Sequence, residues 1–130
     1  MIARARVGVG NEWGDTISYS RAVRAGDLIV VSGTTTAMAR SADDPGRRAG
    51  VLFERIDAAL EEPGAMLEDV VKIRMSLKRV GDWEAVGRVH SGVFAGARPA
   101  TTLLRVGEPI SPDLLVEISA TAVATEGASR

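Results

Sequence analysis

The spacing of hydrophobic and polar positions changes along the chain, and each spacing predicts one element. Residues 19–23 and 28–32 are mostly apolar and flank the segment 24–27, which contains Gly26, so they predict a β-hairpin. Residues 28–31 are apolar without interruption. We therefore expect the second strand of the hairpin to be central and covered on both faces.

Two helices and three further strands follow the hairpin. Residues 45–62 carry an apolar stripe at a spacing of 3.6 residues, which predicts an amphipathic helix capped by Asp44. Residues 70–78 alternate between apolar and polar, which is the period of a strand. A second helix is predicted after the cap residue Asp82, and strands are predicted at residues 101–106 and 114–123. The positions expected to face the core include Val71, Ile73, Met75, Leu77, Val86, Val89, Val93 and Phe94.

This order of elements predicts one α+β domain over residues 1–130, with both helices on the same face of a single sheet. Residues 8–15 and 34–46 predict loops because they are rich in glycine and turn residues. The opposite face of the sheet either meets water or meets other subunits around a polar interior, and the pattern alone allows both. That face is predicted to carry Lys72, Arg74, Ser76, Glu117, Ser119 and Thr121.

Composition excludes several classes of function. The formal net charge is −1 and aromatic residues make up 4% of the chain, so it lacks the basic surface and the stacking platform of a typical nucleic-acid-binding protein. The chain has no cysteine and only one histidine, His90, so we expect no metal site and no cofactor. No segment is apolar for the roughly 18 residues of a membrane span, and we expect a cytoplasmic protein.

Four short motifs, the first of them in two parts, occur in an order that is specific when they are taken together. They are YSRAV at 19–23 with VVSG at 30–33, LEDVVK at 67–72, RPATT at 98–102, and LVEISA at 115–120. In this order the chain resembles the YjgF/RidA (reactive intermediate deaminase) family, also described as L-PSP endoribonuclease-like. The resemblance implies a chorismate-mutase-like α+β fold and a homotrimer with clefts between subunits. It also implies hydrolysis of enamine or imine acids to 2-keto acids and ammonia.

The resemblance also implies which residues line the cleft. Glu117 matches the family's glutamate, which positions or activates water, and Tyr19 matches its cleft tyrosine. Ser32, Gly33 and Thr101 are expected to contact the ligand. Deaminating members carry arginine directly after Pro-Ala, where this chain has Thr101, and a hydroxyl supplies neither charge nor a bidentate fork. The chain is therefore similar to an arginine-lacking branch of the family.

Another cation is one way to replace that arginine. Arg21 shares a strand face with Tyr19 if the strand is regular, and Arg105 shares one with Thr101. Either can hold an anionic ligand in the cleft, or both are solvated strand residues. For His90, packing against the helix stripe is favoured over a role as a catalytic base.

The leading expectation is a homotrimer that binds a small keto- or imino-acid-type metabolite without the family's deaminase activity. The alternative is an active RidA-type hydrolase that acts on a different imine or a related metabolite. Ribonuclease activity has the least support, because the chain offers no pair of acid–base histidines and no broad basic surface.

Overall fold

Six strands and three helices make up the described part of this computed structural model, which comprises residues 3–10, 13–36, 44–107 and 114–125. The strands are β1 (Arg4–Val7), β2 (Ala22–Ala25), β3 (Leu28–Thr34), β4 (Val70–Leu77), β5 (Ala100–Arg105) and β6 (Val116–Val123). The helices are α1 (Trp13–Ile17), α2 (Pro45–Glu61) and α3 (Trp83–Phe94), with 3-10 turns at Leu67–Asp69 and Val80–Asp82.

All six strands form one sheet in the order β1-β2-β3-β6-β4-β5. Neighbouring strands are antiparallel except β4 and β5, which are parallel. Because β3 and β4 both pair antiparallel with β6, they run parallel to each other. Helices α2 and α3 therefore each connect parallel strands, as the order of elements predicts. The α+β fold with a single sheet is confirmed.

The long helix α2 forms as its sequence predicts. Asp44 caps it by accepting a hydrogen bond at Oδ1 from the Arg47 backbone N–H at 3.1 Å, and Pro45 occupies the first helical position. Its apolar stripe packs on β3 and β6, and the same helix also contacts α3. The buried stripe comprises Ala49, Leu52, Phe53, Ile56, Ala59 and Leu60.

The hairpin differs from the prediction. Strand β2 continues through Ala25, which pairs with Leu28, so the loop is only two residues long. Gly26 makes this possible because its φ of 62° is a left-handed conformation that glycine adopts without steric cost. Leu28 and Val30 are 44% and 45% exposed, so β3 is covered on one face only within this chain, and the expectation of two covered faces is wrong here.

The alternation predicted for β4 fails at its first residues. Val70 pairs with Ala122 and Lys72 with Thr121, so Val71 is an extra residue in a β-bulge. The bulge shifts the phase: Val70 is buried and Val71 is 47% exposed. From Ile73 onward the predicted alternation is confirmed, because Ile73, Met75 and Leu77 are all buried.

Helix α3 begins after Asp82, but that residue does not cap it with its side chain. Its carboxylate instead pairs with Arg79 Nε at 3.1 Å, a partner three residues earlier in the chain. Val86 and Phe94 face the core, whereas Val93 is exposed. Consecutive residues of a helix point about 100° apart, so Val93 and Phe94 do not share the same face. The inward position predicted for Val93 is therefore wrong.

The N-terminal segment contains structure that the sequence pattern did not predict. Strand β1 pairs with β2 at the edge of the sheet, and α1 begins inside the predicted loop at residues 8–15. The Tyr19 backbone N–H donates to the Gly14 carbonyl at 3.1 Å and closes the turn after α1. Most of the second predicted loop, residues 37–43, lies outside the described residues.

Candidate functional site

A cavity with a volume of about 620 Å³ opens where the ends of β3 and β6 approach α2. We call it the Glu117 cavity. It brings together four residues that the sequence predicted for the site, namely Tyr19, Arg21, Gly33 and Glu117. Its wall also includes Val7, Thr34, Thr35, Arg55, Ala58 and Leu114.

Gly33 allows the Glu117 carboxylate to lie against the backbone of β3. A Cβ atom at position 33 would stand 2.7 Å from Glu117 Cδ and 2.8 Å from its Oε1. The register between β3 and β6 shifts between Val31 and Thr34, so the close approach occurs at an irregular point of the sheet. Among the described residues, no side chain or backbone group donates a hydrogen bond to the Glu117 carboxylate.

Arg21 is held at the wall of the cavity by its own chain. Its Nη1 donates to the Gly33 carbonyl at 3.0 Å and the Thr34 hydroxyl at 3.1 Å, with a longer contact of 3.4 Å to the Ser32 carbonyl. Its Nη2 lies 3.3 Å from the Tyr19 hydroxyl. Arg21 therefore fixes Tyr19 and the end of β3 relative to each other. It is more than a solvated strand residue.

Ser32 does not line this cavity. Its hydroxyl donates to the Ser20 carbonyl at 2.7 Å, so its single proton is already used within the chain. The predicted contact of Ser32 with the ligand therefore stays a prediction. Ser32 instead ties β3 to the segment before β2.

Thr101 lies in a different and smaller cavity of about 350 Å³ at the junction of α3 and β5, which we call the Thr101 cavity. In the register of the sheet, Thr101 stands opposite Ile73, on the helix side, whereas Glu117 stands opposite Ser76. Strand spacing and rise place the two residues roughly 14 Å apart. Within one chain, the structure therefore does not bring Thr101 to Glu117. The wall comprises His90, Ser91, Phe94, Ala95, Arg98, Pro99 and Thr101.

Thr101 is bonded to its own chain through its hydroxyl. Oγ1 lies 3.0 Å from the Pro99 carbonyl and 3.0 Å from His90 Nε2. A carbonyl can only accept, so the hydroxyl proton points to Pro99 and His90 Nε2–H donates to Thr101. Burial lowers the pKa of His90 below its ordinary value and so favours the neutral ring, whose proton then lies on Nε2 in this arrangement.

His90 is packed, as its position on the helix predicts. Its ring lies 4.9 Å from Phe94 and 6.1 Å from Phe53, measured between centroids. The sequence pattern gives no sign of its contact with Thr101, because the two residues belong to different elements. The pattern likewise does not indicate Arg55 and Arg98 as wall residues of the two cavities. Arg105 is exposed at the end of β5 and lines neither cavity.

Known proteins are similar to this chain in both sequence and fold. A solved structure from Mycobacterium tuberculosis, from the YjgF/YER057c/UK114 family, is 41% identical with a TM-score of 0.87, and the match covers 94% of this chain and 100% of that one. The family model for Endoribonuclease L-PSP matches residues 11–124. The chain belongs to the YjgF/RidA family.

Two curated proteins are also similar to this chain. An uncharacterised protein of Streptomyces coelicolor is 37% identical over 116 residues, which cover 87% of each chain. A protein of Dermatophagoides farinae is 30% identical over 94 residues, covering 69% of this chain and 73% of that one. The second is named 2-iminobutanoate/2-iminopropanoate deaminase, an activity that belongs to that protein.

Within the described ranges, no group of three or more His, Cys, Asp or Glu side chains could hold a metal ion. Of the helices described, none is both long and apolar enough to cross a membrane.

Proposed function

We propose that this YjgF/RidA protein is a homotrimer that binds a small keto- or imino-acid-type metabolite in clefts between its subunits. The observation that carries the proposal is the Glu117 cavity, where a carboxylate, a phenol and a guanidinium meet around the bare backbone of Gly33. A carbonyl or imine group is polar at both carbon and heteroatom, so it suits a wall that offers both donors and acceptors.

The uncovered face of the sheet supports assembly. Leu28 pairs with Val123, and Val30 pairs with Thr121 two residues before Val123. Leu28, Val30 and Val123 therefore lie close together on this face. Each of the three is between 44% and 48% exposed. When a second copy covers such exposed apolar side chains, the assembly is stabilised by roughly 25 cal/mol per Å² of apolar area removed from water.

The positions of the two cavities support clefts between subunits. The Thr101 cavity lies at the β5 edge of the sheet, and the Glu117 cavity lies toward the β1 edge. In a closed ring, each copy presents one surface to a different surface of the next copy. Such a ring can place Thr101 of one subunit beside Glu117 of its neighbour, which a single chain does not do.

Two measurements test this proposal. Light scattering in dilute buffer should give the mass of three chains, and 2-oxobutanoate should raise the melting temperature in a saturable way, because a ligand that binds only the native state stabilises it by mass action. Replacing Tyr19 by phenylalanine should weaken that stabilisation, since the cavity loses a hydroxyl. A monomer in solution, or a melting temperature that no 2-keto acid changes, would contradict the proposal.

Hydrolysis is the second candidate, and it is favoured by the Glu117 carboxylate, which accepts no hydrogen bond from the part of the chain that the structure describes. A carboxylate without a protein donor is free to accept a proton from water. In that reaction the water oxygen adds to the imine carbon, and the proton that Glu117 accepts from water passes to the imine nitrogen. The second water proton follows as the C–N bond breaks, so ammonia leaves and the carbonyl group forms. The deaminase name of the Dermatophagoides farinae relative points to the same chemistry.

Trapping of the imine separates the two candidates. Freshly generated 2-aminoacrylate is incubated with the protein, and the imine that remains is captured as its semicarbazone. If the protein is a hydrolase, the trappable imine disappears faster and Glu117→Gln abolishes the effect. If it only binds, the wild type gives no turnover. In that case Thr101→Arg, which restores the family's charged group, is the variant in which we expect activity.

A further inference from the structure

Arg98 is the one permanently charged side chain among the described residues that line the Thr101 cavity. It lies four residues after the end of α3, and its backbone N–H donates to the Phe94 carbonyl at 2.9 Å. The neighbouring wall is otherwise neutral, with aromatic, hydroxyl and apolar groups. Any electrostatic attraction for an acid in this cavity therefore comes from Arg98.

The backbone of Arg98 is strained. Its φ of 48° lies in the left-handed region, which costs a residue with a Cβ roughly 1 kcal/mol, and Pro99 follows it, which favours an extended conformation instead. Glycine or asparagine usually occupies such a position after a helix. The turn itself thus gains nothing from a guanidinium, which points to a use for the side chain.

Arg98 differs from Arg21 in how many of its guanidinium N–H groups are left to bind a ligand. A guanidinium has five N–H groups, and Arg21 already directs Nη1 and Nη2 to acceptors of its own chain. Within the described ranges, no residue accepts a hydrogen bond from the Arg98 guanidinium. Thr101 cannot donate either, because its proton points to the Pro99 carbonyl. Arg98 is therefore the group here with a complete fork open to a carboxylate.

We infer that Arg98 binds the acidic group of the ligand, at the end of the cleft where Thr101 supplies no charge. The inference rests on the proposed function, because it requires a small acid to enter the cleft. The two arginines then have different roles: Arg21 shapes the Glu117 cavity, and Arg98 gives selectivity for an anionic ligand.

Calorimetric titration with 2-oxobutanoate and with its neutral methyl ester tests the inference. Arg98→Gln should weaken binding of the acid about tenfold or more, the usual effect of losing a charge-assisted hydrogen bond, and leave binding of the ester unchanged. Arg98→Gly removes the side chain while suiting the left-handed backbone, so it should fold and behave alike. Arg88→Gln is the matched control, because Arg88 is an exposed arginine of α3 that pairs with Glu84.

The outcomes separate the inference from the function beneath it. If the Arg98 variants bind the acid as tightly as the wild type, or lose acid and ester equally, the inference is wrong and the proposed function stands. If the wild type binds neither compound, the proposed function fails and the inference falls with it. Selective loss of the acid in both Arg98 variants, with Arg88→Gln unchanged, supports both.

Discussion

The Cα of Gly33 lies so close to the carboxylate of Glu117 that a methyl group at position 33 would overlap it, at 2.7 Å from Cδ. Gly33 is on β3 and Glu117 is on β6, so the contact depends on the pairing of two strands that are distant in the chain. The missing side chain therefore decides where the carboxylate sits in the Glu117 cavity.

Gly33→Ala should separate function from stability. The group in the way is the end of a flexible side chain, so we expect the free energy of unfolding to change by no more than about 1 kcal/mol. The carboxylate must move, however, so binding of 2-oxobutanoate should weaken severalfold in a titration. Gly92→Ala is the matched control, because a Cβ there meets nothing within 4 Å. Equal binding by wild type and Gly33→Ala would show that the carboxylate position is unimportant.

Arg24 should be a major contributor to stability. It is 6% exposed and donates to the carbonyls of Gly26, Pro63 and Ala124, at 2.8, 2.8 and 2.5 Å. Arg24→Met leaves those carbonyls without a donor, and we expect a loss of about 3 kcal/mol in denaturant unfolding.

The acidic neighbour of Arg24 provides the comparison. Asp27 lies 3.9 Å from Arg24 Nη2 and its side chain is 56% exposed. An exposed ion pair contributes little, so Asp27→Asn should cost less than about 1 kcal/mol. If Asp27→Asn destabilises the protein as much as Arg24→Met, the ion pair matters more than the bonds to the three carbonyls.

His90 should make stability depend on pH. Burial lowers its pKa in the folded chain below the ordinary value of 6.5, so the folded state prefers the neutral ring. As the pH falls below about 6.5, the unfolded chain takes up a proton that the folded chain resists, and the free energy of unfolding decreases. The contribution of His90 to the free energy of unfolding is therefore fully present above about pH 6.5 and is lost as the pH falls below it.

The pH effect is measured by thermal unfolding between pH 7.5 and pH 5. His90→Gln keeps an amide that can donate to Thr101 but does not titrate, so its melting temperature should fall less over this range than that of the wild type. Parallel curves for the two proteins would mean that His90 does not titrate differently in the folded and unfolded states.

The two helix starts predict unequal effects of similar substitutions. Asp44 caps α2 with a hydrogen bond to Arg47, whereas Asp82 makes no side-chain cap at α3. Asp44→Ala should therefore cost about 1 kcal/mol in denaturant unfolding, the usual value for a lost cap. Asp82→Ala loses only a partly exposed ion pair with Arg79 and should cost less. The reverse order would contradict this account.

The sequence predicts what depends on local periodicity. The stripe of α2 identifies a buried face because its residues recur at the spacing of one side of a helix, and that side is the one the structure buries. The bulge at Val71 could not be predicted in this way, because it arises from the pairing of β4 with β6. Local patterns carry no information about the register between two strands far apart in the chain.

In the candidate site too, some features follow from the sequence pattern and others depend on contacts between distant elements. Tyr19, Arg21, Gly33 and Glu117 were all predicted for the cleft, and the structure places them around one cavity. The contact of His90 with Thr101 depends on how α3 crosses β5, and the left-handed backbone of Arg98 precedes a proline, where an extended conformation is expected. Neither had a signal in the residue pattern.

The position of β6 has a consequence for how the protein is made. This strand is the last element of the described chain, yet it lies between β3 and β4 and joins the two halves of the sheet. While the chain emerges from the ribosome, the hairpin and both long helices are complete before their central partner exists. Until then part of their apolar surface stays exposed to water, and because long-range strand pairing is slow, we expect the nascent chain to be most prone to aggregation in this interval.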